Sequence, residues 1–220
     1  MNRFSNAHTL AVATLCMALV GCSSVQPVAY SGLASSSELK TEPQNSSVRM
    51  PYRYATQVDW RRYKRIVIDP VAIYRGADDQ FGDMGDQDKT TLANYAQSAF
   101  AKKLGKRFEV ASDSGASTLR LKVTLTGAGT TTPVLGPFTH FDIGGNLYNG
   151  VQAIRGREAA FSGYVIYAVE LRDASTNQLL QAYVTKQYPN AMNLAAAFGS
   201  LGAAKTGIDK GADELAEQFK

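Results

Sequence analysis

Between Thr118 and Thr126 every second residue is apolar. Leu119, Leu121, Val123 and Leu125 point one way and Arg120, Lys122, Thr124 and Thr126 the other, the period of a strand with one wet face. Arg65 to Val71 is β-branched and apolar and reads as a buried strand, with Pro70 placing its end at an edge or a bulge. The pattern then changes period. Leu92, Tyr95, Ala96, Ala99, Phe100 and Leu104 recur at spacings of three and four, which predicts an amphipathic helix over 89–104. Asp88 is its expected N-cap and Gly105 its expected C′ residue, while Lys102 and Lys103 suit its negative end. Phe108 to Val110 reads as a short strand. Phe161 to Arg172 and Gln178 to Gln187 read as the arms of a hairpin turning at 173–177. Thr206 to Lys220 closes the chain as a second helix, with Ile208, Ala212, Leu215 and Phe219 on one face. These elements predict an α+β domain: a two-layer sandwich of a mainly antiparallel sheet, about four to five strands, with two amphipathic helices.

The start of the chain has a different character. Arg3 supplies a positive n-region, Thr9 to Val20 an apolar stretch too short to cross a bilayer, and Leu19-Val20-Gly21-Cys22 ends it as a lipobox does. On this reading residues 1–21 are a lipoprotein signal peptide, with Leu19, Val20 and Gly21 as the peptidase motif, and Cys22 is lipidated. One acyl chain gives only reversible attachment, so stable anchoring rests on several. Ser23 after the cysteine favours the outer membrane, periplasmic side, over retention at the inner membrane. Residues 22–50, rich in Ser with Pro27 and Pro43, are expected to be a lipidated tether, and residues 51–220 the periplasmic domain. Within the tether, Tyr30 to Leu33 and Leu39-Lys40 look able to dock on the domain.

Composition then narrows the chemistry. Loss of residues 1–21 removes one charge, Arg3, so the formal net charge goes from +4 to +3. A nucleic-acid surface has a denser basic face, and no such partner is expected. The two cysteines are Cys16, lost with the signal, and Cys22, which carries lipid, so no disulfide, thiol nucleophile or cysteine metal site remains. Of the two histidines only His140 stays in the mature chain, which excludes a site built on two histidines of one chain. No cofactor and no metal are expected.

Several short motifs occur in order: Tyr30-Ser-Gly-Leu33, Leu39-Lys40, Asp59-Trp60, Tyr63-Lys-Arg65, Ile68-Asp-Pro-Val71, Ala99-Phe-Ala-Lys-Lys-Leu104, Thr118-Leu-Arg-Leu-Lys-Val123 and Glu170-Leu-Arg-Asp-Ala174. Together they resemble the family of bacterial lipoproteins catalogued as domain of unknown function 3313, from about Tyr30 to the C-terminus. The resemblance implies a fold and brings no catalytic residues.

Few residues suggest chemistry. Asp78, Asp79, Asp83, Asp86 and Asp88 crowd a glycine-containing loop that could wrap calcium, although a solvated loop capping the next helix explains them more simply. His140 beside Asp142 could act as a base in a cell-wall or lipid hydrolase, but no Gly-x-Ser-x-Gly elbow accompanies it. Arg61, Arg62, Lys64 and Arg65 around Trp60 and Tyr63 suit an anionic surface or simply a solvated strand end. Gly127-Ala-Gly129 is only a fragment of a phosphate loop. Two Gly- and Ala-rich apolar segments, 127–160 and 191–204, offer more. Phe138, Phe141, Leu147, Tyr148, Leu194, Phe198 and Leu201 would form a partner surface if exposed, and core if not. The leading expectation is a non-enzymatic envelope binding module, membrane-bound through its lipid and docking an envelope protein. The alternatives are a component of an oligomeric envelope assembly or secretion complex and, less favoured, the hydrolase. The sequence leaves the oligomeric state open.

Overall fold

A computed structural model describes residues 25–41, 49–130, 163–189 and 199–220. Among these residues the chain forms β1 (Lys40–Thr41), β2 (Tyr52–Ala55), a 3-10 turn (Trp60–Arg62), β3 (Arg65–Ile68), β4 (Ala72–Ile73), α1 (Asp86–Leu104), β5 (Glu109–Val110), β6 (Thr118–Gly129), β7 (Tyr164–Asp173), β8 (Leu179–Gln187) and α2 (Gly202–Glu217). The strands make one sheet in the order β1-β2-β8-β7-β6-β3-β5, with β4 also paired to β6.

The α+β class and the two helices agree with the sequence pattern; the sheet does not, having eight strands rather than four to five. The additional strands are pieces of two to four residues, too short to show a period. The sheet is also mixed. β6, β7 and β8 form the expected antiparallel meander, but β3 and β4 run parallel to β6, and β5 runs parallel to β3. The reason is α1, which carries the chain over one face between β4 and β5. A helical crossover is what permits parallel neighbours. Pro70 falls in the break between β3 and β4, as a residue without an N–H should.

Both helices cover the same face. Leu92, Ala96, Phe100 and Leu104 of α1 and Ile208, Ala212 and Leu215 of α2 bury against Leu119, Leu121, Val123 and Leu125 of β6 and Val165, Tyr167, Val169 and Leu171 of β7. Register explains the match, since Leu121 pairs with Leu171 and Val123 with Val169. Tyr95 donates to Asp209 at 2.7 Å and so ties the helices together. Phe219 closes one end, edge-on to Trp60 and Phe108.

Helix α1 begins at Asp86 rather than Lys89, and its N-cap is Gly85 with no side-chain bond rather than Asp88. Asp86 and Asp88 lie inside the first turn, where their charge faces the positive helix end. Gly105 sits at φ −62°, so it prolongs the helical turn and is not a left-handed C′ residue. Helix α2 starts earlier than expected, at Gly202.

The second face holds the main departure. Residues 22–50 were expected to be tether, with Tyr30 to Leu33 and Leu39-Lys40 docking on the domain; the docking is seen, and residues 25–39 as a whole lie as a strap across the sheet. Tyr30 and Leu33 are buried with Tyr74 against Ile166, Ala168 and Val184. Thr124 and Thr126, expected on a wet face, are covered, while Arg120 and Lys122 stay half-exposed. The folded unit thus begins at the strap and not at residue 51.

The β7–β8 hairpin is locked by one carboxylate. Asp173 accepts from the Ser175 hydroxyl at 2.6 Å and from the Ser175 and Thr176 amides. Its other oxygen accepts from the Tyr63 hydroxyl at 2.8 Å and from Arg62 at 3.1 Å. Above all the Ser175 hydroxyl, with these other donors, holds the carboxyl well below its ordinary value of 3.8. Asp173→Ala should therefore lower the unfolding free energy by roughly 2–3 kcal/mol at neutral pH in urea titrations. A depressed pKa stabilises above 3.8 and loses that contribution as pH falls below it. The gap between wild type and variant should hold down to about pH 4 and narrow steadily as pH falls below it; a constant gap through that range would show that the carboxylate is not the lock.

Candidate functional site

The strap is held by one ring and one carboxylate. The Tyr74 hydroxyl accepts from the Gly32 amide at 2.9 Å and donates to Asp78 at 2.7 Å. The other Asp78 oxygen accepts from the Ser31 amide at 3.0 Å. Tyr74 and Ser31 together hold the Asp78 carboxyl below its ordinary value, the Tyr74 bond being the larger cause. Gly32 and Gly76 lie against the Tyr74 ring so closely that a Cβ at either would overlap it. Tyr30 stacks edge-on to Tyr74 with centroids 5.4 Å apart and donates to Gln80 at 2.5 Å. It does so at φ 47°, a left-handed conformation rare for an aromatic residue, so burial and bonding must outweigh local strain. Upstream, Gln80 donates to the Gln26 carbonyl and Lys186 to the Val25 carbonyl, at 2.8 and 2.9 Å.

Where the strap ends, the sheet face is charged. A cavity of about 310 Å³ is lined by Ala34, Asp69, Arg120, Lys122, Glu170, Arg172 and Asn177. A second, of about 320 Å³, adjoins it through Lys122 and reaches Thr124 and the segment Ala72 to Gly76. Strand register builds the floor: Lys122 of β6 stands opposite Glu170 of β7, and Arg120 opposite Arg172. Asp69 pairs with Arg120 at 3.0 Å, and Arg172 donates to the Asn177 carbonyl at 3.0 Å. Glu170 is 1% exposed, and among the described residues neither carboxylate oxygen has a hydrogen-bond donor. Its cations, Lys122 and Arg172, each stand 3.7 Å away, beyond bonding distance.

The residues singled out from sequence fare differently. Leu19, Val20, Gly21, Cys22, Phe138, His140, Phe141, Leu147, Tyr148, Leu194 and Phe198 lie outside the described residues. Leu201 is described and does not fit a partner surface, since it is buried in the helix-face core, packed where α2 begins. Of the acidic loop, Asp78 serves the strap and Asp79 accepts from the Phe81 amide. The basic run is largely paired, Arg61 with Asp59, Arg62 with Asp173 and Arg65 with Asp113 and Glu109. Trp60 packs partly buried on the core. Among the described residues no helix is long and apolar enough to cross a membrane. Glu170 was missed as a site residue, although a Glu-x-Arg pair inside an otherwise apolar strand was a usable signal.

The family model described as a protein of unknown function, DUF3313, matches residues 29–215. The chain belongs to that family. Among solved structures, a PelC dodecamer from Paraburkholderia phytofirmans is similar at 13% identity, covering 74% of this chain and 94% of that one, with a TM-score of 0.40. A DUF4136 family protein from Bacteroides thetaiotaomicron is similar at 12% identity over 76% and 95% of the two chains, with a TM-score of 0.37. No curated protein matches the chain.

If Tyr74 is the clamp, Tyr74→Phe removes the bonds to Gly32 and Asp78 and leaves the ring in place. It should cost about 1–2 kcal/mol of stability. In hydrogen-exchange measurements the amides of Ser31 and Gly32 should exchange at least about tenfold faster while those of β6 and β7 stay protected. Equal protection in both proteins would mean that packing alone holds the strap.

Proposed function

We propose that this member of the DUF3313 family is an outer-membrane lipoprotein, acylated at Cys22 once residues 1–21 are removed, with its domain on the periplasmic side. There it works as a non-enzymatic binding module. The observation that carries this reading is how early the folded unit starts. Val25, whose carbonyl is bonded to Lys186, lies three residues after Cys22. Even fully extended, three residues span only about 10 Å. A lipid on Cys22 would therefore hold the sheet at the bilayer surface and would not let it roam on a long tether. The expected tether 22–50 would have allowed a far larger reach.

Binding rather than catalysis is supported by what lines the groove. Its carboxylates each stand against cations, and the described lining of the 310 Å³ cavity that holds them includes no hydroxyl, thiol or imidazole that a carboxylate could activate. A charged face beside the membrane suits recognition of a polar envelope component.

Labelling of cells with radioactive palmitate, followed by fractionation, tests the address. Wild type should take up label and sediment with outer membrane; Cys22→Ser should lose the label and appear in the soluble periplasmic fraction. Label retained by Cys22→Ser, or a mature N-terminus elsewhere by intact-mass measurement, would overturn the reading.

A further inference from the structure

The floor of the groove makes two separate demands on whatever enters it. The first comes from Glu170. A carboxylate 1% exposed with neither oxygen hydrogen-bonded is an exception to the rule that buried polar groups find partners. It lines the cavity, so the donors it lacks can come from a molecule seated there. The second comes from register. Arg120 and Arg172 stand directly opposite each other on adjacent strands, where like charges repel. Lys122 is the next residue on the same face of β6. Asp69 and Glu170 offset two of these three cations, so the described lining keeps one positive charge in excess.

We propose that this groove binds an acidic saccharide: a polyhydroxylated ring bearing a carboxylate or phosphate. Ring hydroxyls donate to Glu170, and the acidic group takes the charge-assisted bonds of Lys122 and the arginines. A bare inorganic anion answers the cations but offers a buried carboxylate no donor beyond its own proton. An ammonium ligand would answer Glu170 but meet Lys122 and Arg172 on either side of it. An apolar ligand answers neither demand. At about 310 Å³ the cavity is at the small end of ligand sites, and the adjoining 320 Å³ cavity, sharing Lys122, extends it for a second ring. The proposal rests on the sheet face and not on Cys22, so loss of either one leaves the other standing.

Calorimetric titration of the mature full-length protein in detergent tests it with four probes: trigalacturonic acid, glucose 6-phosphate, neutral maltotriose and inorganic phosphate. Saturable binding of one or both acidic sugars is expected, at least about tenfold tighter than maltotriose and inorganic phosphate, and which of the two binds identifies the acidic group. Glu170→Gln keeps the shape of the side chain and Lys122→Gln alters a half-exposed one; each should weaken binding at least about tenfold without lowering the urea midpoint. Should Glu170→Gln fail to fold, Lys122→Gln decides alone. The absence of saturable binding by either acidic sugar, affinities untouched by the folded variants, or inorganic phosphate binding as tightly as glucose 6-phosphate would each overturn the proposal.

Discussion

A sheet has two faces, and among the described residues the helices cover only one. Everything else follows from how the second face is closed. Apolar positions on β7 and β8, namely Ile166, Ala168 and Val184, must be shielded, and the chain uses its own N-terminal strap for this. The strap contributes few apolar side chains, chiefly Tyr30 and Leu33, so its hold depends on the Tyr74 ring between Gly32 and Gly76 and on the carboxylate of Asp78. Where that shielding stops, β7 presents Glu170 and Arg172 and its neighbour β6 presents Arg120 and Lys122. Among the described residues the groove is thus the part of this face that the strap leaves uncovered, and its edge is the strap itself, at Ala34 and Leu33.

The strongly periodic parts of the fold could be read from residues alone. The alternation of β6, the three-four spacing of α1 and the hairpin of β7 and β8 all appear close to where the pattern puts them, because burial on one face leaves a periodic trace. The parallel pairings left no such trace. Nothing local in Arg65 to Ile68 says that its neighbour is β6, because that pairing depends on α1 crossing a face. The strap was legible in part: Tyr30 to Leu33 and Leu39 stood out from a Ser- and Pro-rich stretch as able to dock, but the partners that hold Tyr30, namely Tyr74 and Gln80, lie far along the chain.

The site was legible only in halves. Arg120 and Lys122 were visible as the polar side of an alternating strand, which is also how an ordinary solvated face looks. Glu170 and Arg172 sat in a motif shared with the family and were read as structure. Their meaning comes from register, which sets Arg120 against Arg172 and Lys122 against Glu170 and cannot be read from either strand separately. Leu201 was open to both readings, partner surface or core, and took the second. It looked like part of an apolar surface, but the start of α2 turns it into the core.

Stability alone would not select Glu170. Its place on β7 lies between Ala168 and Arg172 on the same face, opposite Lys122 and beside Ala182 of β8. An uncharged side chain there would fill the same space without the desolvation that an unbonded carboxylate incurs. The Lys122 pair returns little, since Lys122 is 43% exposed and water weakens its attraction, and the Arg172 pair, with Arg172 23% exposed, is at the same 3.7 Å with no hydrogen bond. Asp173 on the same strand shows the contrast, because its oxygens are filled by donors from the chain itself and it serves as a structural lock. Two acidic residues of one strand, both buried, therefore differ in whether the protein completes them. The one it leaves incomplete faces a cavity, and that is the arrangement expected where the missing donors arrive with a ligand.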